Sequence, residues 1–358
     1  LYIFWSPILS KRFFLEGNTS TNHLFIIAFY AIGFIFRPLG GVFFGRLGDR
    51  IGRKKTFISS LIIMSASTLL MGFIPTYEEI GVFAPILLAF FRIAQSFPSG
   101  GELPGAFCYL YESGPDNKKF TTSFAGFGNQ LGGLLAAIEC YFLAKHYPVE
   151  TYPNMGWRIS FIVGGLIGLS GILLRNRLHE TNSFHEISVH HKLTRTPIWQ
   201  VFQGNWGKIV RGGAFGTMQT VCYHFIAVIF PIYFFRSRGL SSEQGLLATI
   251  ILLTITTVPL PFYGLLAEKY SILRMAIIAC IGVIVLLYPL HIAIKFPHQW
   301  YAMFVIGLIA LCVACITAIW PYFISHLFPT RIRYTCVGLS FNITDGILGG
   351  VSSLVSFY

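Results

Sequence analysis

Long apolar stretches alternate with short polar connections along most of the chain. A helix needs about 20 consecutive, mostly apolar residues to cross the hydrocarbon core of a bilayer. Ten stretches approach or exceed that length, and residues 1–10 look like the last half of another span. The pattern therefore predicts an all-α polytopic membrane protein, with spans near 23–44, 56–74, 82–111, 121–146, 157–174, 209–235, 243–267, 273–295, 299–327 and 336–358.

A polar segment at residues 176–207 separates the predicted spans into two groups. If residues 1–10 form the end of helix one, this segment follows helix six and precedes helix seven. We therefore expect an N-terminal helix bundle over residues 1–175, a central linker over 176–207 and a C-terminal helix bundle over 208–358.

A weak internal repeat supports two related halves. Residues 45–50 (GRLGDR) close the second predicted helix, and residues 264–269 (GLLAEK) close the eighth. Each segment begins with a glycine and ends with an acidic and then a basic residue. Because parallel repeats of six helices are one plan of membrane transporters, we expect two six-helix bundles, here lacking half of helix one and helix twelve.

Composition agrees with the membrane class and explains the net charge. Charged residues make up 11% of the chain, whereas soluble domains carry about 25%. The net charge of +12 comes from Lys and Arg residues that lie mostly in the loops on one side of the predicted spans. This bias marks the cytoplasmic side. We therefore expect a bacterial inner (cytoplasmic) membrane protein with a cytoplasmic linker. We expect no nucleic-acid partner, because the basic residues are scattered over short loops.

The most specific motif, Gly45-Arg-Leu-Gly-Asp49-Arg50-Ile-Gly52-Arg53-Lys-Lys-Thr, lies between the second and third predicted helices. It resembles, in near-complete form, the loop 2–3 signature of the major facilitator superfamily. Gly45 allows close helix contact, Asp49 can pair with cations at a helix end, and Gly52 permits a tight turn. Arg53 can reach neighbouring helix ends, so the resemblance implies a gating loop on the cytoplasmic face.

Glu112 ends the fourth predicted helix, close to Lys118. In the superfamily, an acidic residue at this place pairs with the basic loop as an inward gate. The resemblance therefore implies that Glu112 pairs with Arg50 or Arg53. A simple charge at a helix end is the alternative.

Further motifs narrow the resemblance to one branch of the superfamily. These motifs are residues 37–41 (RPLGG), 92–102 (RIAQSFPSGGE), 156–159 (GWRI), 177–181 (RLHET) and 328–334 (FPTRIRY). Together they look like the metabolite–proton symporter family, whose members include proline/betaine, dicarboxylate/citrate and shikimate transporters. The resemblance covers essentially the whole chain. It implies import of a small polar metabolite by proton symport, with the proton gradient as driving force and no cofactor.

Charged side chains inside a membrane are costly and by default mark a pathway. Arg92, Gln95 and Glu102 are spaced by three and seven residues, which places them on one face of the fourth helix. We expect Arg92 to bind an anionic group of the substrate or to balance a carboxylate. Glu102 is the candidate proton-carrying or gating carboxylate. The alternative is an Arg–Glu network that only stabilises the bundle.

Two other helices of the first half carry polar candidates. Arg37 lies about two turns from the cytoplasmic end of the second helix and either lines the cavity or extends toward the interface. At least one of Asn129 and Gln130 in the fifth helix is expected to face the cavity. Gly128 and Gly132 form a GxxxG pattern, which favours close helix contact.

The second half holds a comparable set of polar and aromatic candidates for the cavity, namely Gln219, Tyr223, His224, Trp320, Asn342 and Asp345. His224 can titrate near neutral pH or serve as a hydrogen-bonded structural residue. A carboxylate in the middle of a helix needs a partner or water, so Asp345 is expected in a cavity or a salt bridge. If Asp345 replaces an acid of helix one, its removal should abolish coupling.

No P-loop, zinc-ligand spacing or nucleophile elbow is visible in the sequence. We therefore expect neither an enzyme nor a metal site. The expected partners are a carboxylate-bearing or zwitterionic small molecule, protons and the lipid bilayer, and we expect a monomer. The alternatives are a proton-independent facilitator or exporter and a non-transporting membrane receptor.

Overall fold

The computed structural model describes residues 2–14, 19–114, 116–146, 155–189, 198–226, 230, 242–295 and 299–348. Within these ranges the chain is almost entirely helical and no β-strand occurs. The helices are α1 (Tyr2–Phe13), α2 (Thr19–Ile51), α3 (Arg53–Met71), α4 (Tyr77–Ile80), α5 (Phe83–Ser113), α6 (Lys118–His146), α7 (Trp157–Asn176), α8 (Asn182–Val189), α9 (Ile198–His224), α10 (Ser242–Thr257), α11 (Leu260–Lys269), α12 (Ile272–Lys295), α13 (Gln299–His326) and α14 (Arg333–Phe341), which continues as a π-helical segment, Asn342–Leu348.

The predicted spans coincide with helices as far as the described residues reach. Among the described residues, four helical segments are both long and apolar enough to cross a membrane, and they are Trp157–Asn176, Glu243–Lys269, Ile272–Lys295 and Trp300–His326. Two details differ from the prediction. The eighth span is interrupted before α11 at Pro259, a residue that has no N–H to donate. Helix α9 begins at Ile198 rather than near 209, so the end of the predicted linker is helical.

Helices α2 and α5 cross at very short range in the first half. A Cβ atom added to Gly40 of α2 would overlap the backbone carbonyl of Phe97 on α5. In the same way, a Cβ on Gly100 of α5 would overlap the carbonyl of Arg37 on α2. The two backbones therefore touch because both positions lack a side chain, as in other close helix crossings in membranes.

The GxxxG pattern of α6 does not make the close contact that was predicted for it. No described atom other than those of the local helix backbone lies within 4 Å of a Cβ built on Gly128 or Gly132. A closer approach of α6 occurs two residues before Gly128, where a Cβ on Gly126 would lie 3.2 Å from the carbonyl oxygen of Thr317. The prediction is wrong because spacing alone does not tell which face of a helix meets a neighbour.

The two halves meet chiefly along α2 and α6 of the first half. Helix α2 packs against α14, and α6 packs against α10 and α11. Helix α13 lies at the centre of the second half, where it packs against α12, α9 and the α10–α11 pair and also reaches α6. These contacts place the ends of α2 and α5 and the start of α14 at the junction of the halves.

Candidate functional site

A buried guanidinium lies where the end of α2, the start of α3 and the end of α5 meet. The Arg53 side chain is 1% exposed and donates to both carboxylate oxygens of Glu112, at 3.0 and 3.1 Å. It also donates to the carbonyl oxygens of Gly48, at 2.7 Å, and Thr330, at 2.6 Å. Asp49 lies 3.2 Å away on the preceding helix. This paired geometry is the strong, bidentate form of the Arg–carboxylate interaction.

Glu112 extends this network into the second half of the chain. Its carboxylate accepts a hydrogen bond from Arg333 Nη1 at 2.5 Å and another from the Thr181 hydroxyl at 2.8 Å. Arg333 is held in turn by the carbonyl oxygens of Ser325 and Phe328. Of the two partners predicted for Glu112, Arg53 is the one it contacts, whereas Arg50 is exposed. One carboxylate therefore links the ends of α2–α3, α5 and α14.

Acidic side chains at the ends of α2 and α11 cap helices of the opposite half. Asp49 accepts hydrogen bonds from the backbone N–H groups of Tyr334 and Thr335 at the start of α14, at 3.2 and 2.9 Å. Glu268 accepts from the N–H groups of Lys119 and Phe120 at the start of α6, at 2.7 and 3.0 Å. A negative charge stabilises the unpaired N–H groups of a helix start. The acidic residues of the two repeat segments thus have equivalent roles, because each caps the start of a helix in the opposite half.

Glycines fit both capping contacts. A Cβ on Gly45 would lie 2.8 Å from Thr335 Cα, and one on Gly264 would lie 2.5 Å from the Ser123 hydroxyl. Each glycine therefore lets the helix that carries the acid approach the helix it caps. The role expected for Gly45 agrees with this close approach.

The turn between α2 and α3 contacts the start of the central linker. Gly52 has a φ of 109°, which is unfavourable for residues that carry a Cβ. Such a Cβ would also overlap the carboxylate of Glu180. The Glu180 side chain accepts hydrogen bonds from the N–H groups of Arg53, at 3.0 Å, and Lys54, at 3.2 Å. In the sequence, Glu180 is recognisable only as part of the motif at residues 177–181. Its position as the cap of α3 was not predicted.

Replacing Asp49 by Ala is expected to weaken the closure of α2 onto the start of α14. Asp49 is 4% exposed and accepts three hydrogen bonds from Tyr334 and Thr335, one of them from the Thr335 hydroxyl. At about 1 kcal/mol net for each bond, the loss of stability is about 3 kcal/mol. Thermal unfolding of the purified protein measures it, with Asp116→Ala at an exposed site as control. Equal unfolding temperatures for the two variants would show that the cap does not stabilise the closure.

A second ion pair lies between the two halves, farther along α2 from the α2–α3 turn. Arg37 Nη1 of α2 is 2.9 Å from Asp345 Oδ2 in the π-helical segment after α14. Both side chains are 18% exposed. Of the two environments expected for Asp345, the structure shows the salt bridge. Arg37 faces the other half of the molecule rather than the lipid interface.

Arg92 and Gln95 interact within α5 and with α3. Arg92 Nη1 donates to Gln95 Oε1 at 2.8 Å, and Gln95 Nε2 donates to the Thr68 hydroxyl at 2.7 Å. A Cβ on Gly33 of α2 would lie 2.9 Å from Arg92 Nη2. Arg92 therefore fits against α2 through a glycine, and its Nη1 is paired with the neutral amide of Gln95.

Glu102 does not face Arg92. Its Oε1 accepts a hydrogen bond from Arg175 Nη2 of α7 at 2.7 Å. Arg175 lies over the ring of Phe57, 3.5 Å from its centroid, and donates to the Phe57 carbonyl. The helical spacing predicted the face of α5 correctly for Arg92 and Gln95. It did not identify Arg175, which lies 73 residues away in sequence, as the partner of Glu102.

Three residues fasten the second half to the first. Trp320 of α13 lies edge-on to Phe107 of α5, with ring centroids 6.2 Å apart, and it donates from Nε1 to the Gly212 carbonyl of its own half at 3.0 Å. Asn342 donates from Nδ2 to the carbonyls of Gly100 and Gly338 at 2.8 and 2.7 Å. The third residue, Tyr334, was not among the predicted candidates, although it is the last residue of the motif at residues 328–334.

Tyr334 is fully buried between α2 and α5. Its hydroxyl donates to the Gly101 carbonyl at 2.9 Å. A Cβ on Gly48 or Gly105 would overlap its ring. The glycines of α2 and α5 indicate in the sequence that a neighbouring group approaches closely. They do not indicate which side chain fills the space.

The remaining candidates divide between buried and exposed positions. Gln130 is 1% exposed, whereas Asn129 is exposed. Gln219 is buried beside Thr220, and His224 Nδ1 contacts the Thr220 carbonyl oxygen at 2.8 Å. These are the contacts of a hydrogen-bonded structural histidine. Tyr223 packs toward α6, where its hydroxyl lies 3.6 Å from a Cβ built on Gly133.

The structure has two helix bundles that meet at the α2–α3 turn and are also joined by an ion pair between them. This arrangement is typical of membrane transporters. Residues 7–353 match the sequence profile of the Major Facilitator Superfamily, and the chain belongs to that family. It is therefore a multi-pass membrane transporter and not an enzyme.

Curated relatives resemble the chain over nearly its full length. The proline/betaine transporter of Salmonella typhimurium is 30% identical over 376 residues, which cover 100% of this chain and 73% of the relative. The glycine betaine/proline/ectoine/pipecolic acid transporter OusA of Dickeya dadantii is 30% identical over 375 residues, covering 98% and 72%. These names place the chain close to the branch that the motifs indicated.

Solved structures confirm the fold. The proton:xylose symporter XylE bound to 6-bromo-6-deoxy-D-glucose has a TM-score of 0.79 at 16% identity, covering 100% of this chain and 83% of that one. A partially occluded inward-open conformation of XylE from E. coli has a TM-score of 0.73 at 16% identity, covering 99% and 86%. The predicted major facilitator fold is therefore confirmed.

Proposed function

We propose that the protein imports a small zwitterionic metabolite by proton symport across the bacterial inner membrane, with its central linker in the cytoplasm. The observation that carries the proposal is the Arg37–Asp345 ion pair, which joins the two halves inside the membrane. A pair of opposite charges at that place suits a substrate that carries both. The relatives are transporters of proline and betaine, which supports the same substrate class.

Transport would proceed by rocking of the two halves about the site between them. The network of Arg53, Glu112 and Arg333 closes the cytoplasmic ends, because it joins both halves through buried charges. Release of the substrate to the cytoplasm requires this network and the Asp49 cap to separate. The free-energy cost of separating them keeps the carrier closed on the cytoplasmic side when no substrate is bound.

Proton coupling would use Glu102. Its ion pair with Arg175 lies within the first half, and both side chains are less than one-fifth exposed. A proton on Glu102 would neutralise it and release Arg175, so the packing of α5 against α7 would depend on protonation. Asp345 is the second candidate for the coupling carboxylate, because it lies between the halves.

Uptake into proteoliposomes tests the proposal directly. Labelled proline and glycine betaine should accumulate when the lumen is made alkaline, and much less without an imposed gradient. Equal uptake in both conditions would indicate a facilitator or exporter without proton coupling. Binding of either compound without flux would indicate a receptor.

The Glu102→Gln variant is expected to lose stimulation by the pH gradient. Glutamine keeps the size of the side chain but cannot release a proton, so net uptake should fall to the level seen without a gradient. Exchange of labelled for unlabelled substrate needs no net proton movement and should persist. Glu186→Gln, at an exposed position of α8, serves as the control. Gradient stimulation equal to that of the wild type would exclude Glu102 as the proton carrier.

A further inference from the structure

The Arg37–Asp345 pair leaves hydrogen-bonding capacity unused at a buried place. Arg37 Nε is buried and has no hydrogen-bond partner among the described residues. Asn342, one turn before Asp345 and 1% exposed, has an equally unpartnered Oδ1 within the described chain. The site therefore holds a spare donor on Arg37 and a spare acceptor on Asn342. Buried polar atoms without partners are uncommon in proteins and call for an explanation.

The orientation of the Asn342 amide is set by its neighbours. Its Nδ2 donates to the carbonyls of Gly100 and Gly338, so the remaining atom, Oδ1, must be an acceptor. A Cβ on Gly346 would lie 3.5 Å from Oδ1 and 3.4 Å from Pro38 Cγ. Gly346, the residue after Asp345, therefore packs against both Asn342 and Pro38, the residue after Arg37.

Aromatic rings flank the cationic member of the pair. Arg37 Cζ lies 5.4 Å from the ring centroid of Phe34 and 6.0 Å from that of Phe341. These distances are within the range in which an aromatic face attracts a cation. If Arg37 moved away, the same two faces would be open to a substrate cation close to Asp345.

We propose that the ion pair opens by exchange with a zwitterion and that Asp345 makes the site select zwitterions over anions. The carboxylate of the substrate takes the place of Asp345 on Arg37. The cationic group of the substrate takes the place of Arg37 on Asp345, near Phe34 and Phe341. This assignment rests on the proposed function, because it names the residues that recognise the substrate.

Charge balance explains the selectivity. A zwitterion leaves each member of the pair with a partner after the exchange. A substrate with a carboxylate alone would leave Asp345 unpaired, and a cation alone would leave Arg37 unpaired. An unpaired charge inside the membrane is costly. Both single-charge compounds should therefore be rejected.

The exchange also links recognition to movement. Arg37 belongs to the first half of the molecule and Asp345 to the second, so their bond holds the halves together at this depth. A bound zwitterion replaces this direct contact with two contacts through the substrate. Substrate binding thereby removes one restraint on rocking.

Three compounds of similar shape separate the contributions of the two charges. Glycine betaine carries both charges, 3,3-dimethylbutanoate replaces its quaternary nitrogen by carbon, and choline lacks the carboxylate. Calorimetric binding and uptake are measured for each. The wild type should favour glycine betaine. Asp345→Asn should lower its selectivity for glycine betaine over 3,3-dimethylbutanoate by about 30-fold or more, and Arg37→Gln should do the same relative to choline.

Matched variants control for folding and for general charge effects. Glu78→Gln removes one member of the outer Arg12–Glu78 ion pair, which is 4.0 Å long and largely exposed at Glu78. It should leave all three ratios unchanged. The double variant Arg37→Gln/Asp345→Asn leaves no unpaired charge, so it should fold and lose the preference for glycine betaine over both isosteres.

The outcomes distinguish this inference from the proposed function. Unchanged selectivity in a folded Asp345→Asn protein would overturn the inference, even if gradient-driven uptake persisted. Loss of gradient dependence with unchanged selectivity would also overturn it and would make Asp345 the proton site. Selective binding that changes as expected, in a protein without gradient-driven flux, would support the inference and contradict the proposed function. A folded wild type that does not bind glycine betaine would overturn both.

Discussion

The Glu112→Gln variant is expected to be less stable than the wild type by about 3–5 kcal/mol, the usual cost of removing one partner of a buried ion pair. The Glu112 side chain is 0% exposed, and it neutralises Arg53 and Arg333 together. Glutamine offers one acceptor oxygen in place of two and carries no charge. Two buried guanidiniums would then face each other across the junction of the halves.

Transport should fail in the same variant. Loss of the network favours the state in which the cytoplasmic ends are apart, so the outward-facing state that captures external substrate is less populated. Thermal unfolding of the purified protein and initial rates of uptake measure the two effects. Glu186→Gln changes the same chemical group at an exposed position of α8 and should behave as the wild type. Wild-type stability together with wild-type uptake in Glu112→Gln would contradict the gate described above.

The Gly100→Val variant is expected to give little folded protein. Gly100 lies where α5 meets α2, and even a Cβ would overlap the Arg37 carbonyl. Valine adds two further methyl groups, so the helices must move apart. Overpacking of this kind costs about 1–3 kcal/mol in ordinary cores. We expect the upper end or more here, because the overlapping atom belongs to the backbone and cannot rotate away.

Gly128→Val on α6 is the matched control for Gly100→Val. It makes the same replacement in the interior of another helix, at a position with no described neighbour within 4 Å. The intrinsic helix propensities of the two variants change equally, so a difference between them reports the crossing. The amount of monodisperse protein after purification and its unfolding temperature are the readouts. Similar values for the two variants would refute the close crossing.

The spans and the Arg53–Glu112 pair were predictable because they depend on local patterns. Apolar length and the distribution of Lys and Arg residues indicate where a chain crosses the bilayer and on which side its loops lie. Glu112 and Arg53 belong to motifs that resemble a known family, and the structure brings them within 3.0 Å. The repeat at residues 45–50 and 264–269 likewise predicted two equivalent helix ends.

The long-range contacts were not predictable in the same way. The partner of Glu102 is Arg175, and the partner of Arg37 is Asp345. Each pair depends on which faces of two distant helices meet, and the hydrophobic pattern does not specify helix rotation. Tyr334 shows the same limit, because the space that it fills is created by glycines on two other helices.

Proton entry driven by substrate tests the central proposal most directly. Proteoliposomes that contain a pH-sensitive dye, with no pH gradient imposed, receive external glycine betaine or xylose. Symport predicts that glycine betaine acidifies the lumen and that xylose, which carries no charge, does not. Entry of labelled glycine betaine without any acidification would contradict proton symport.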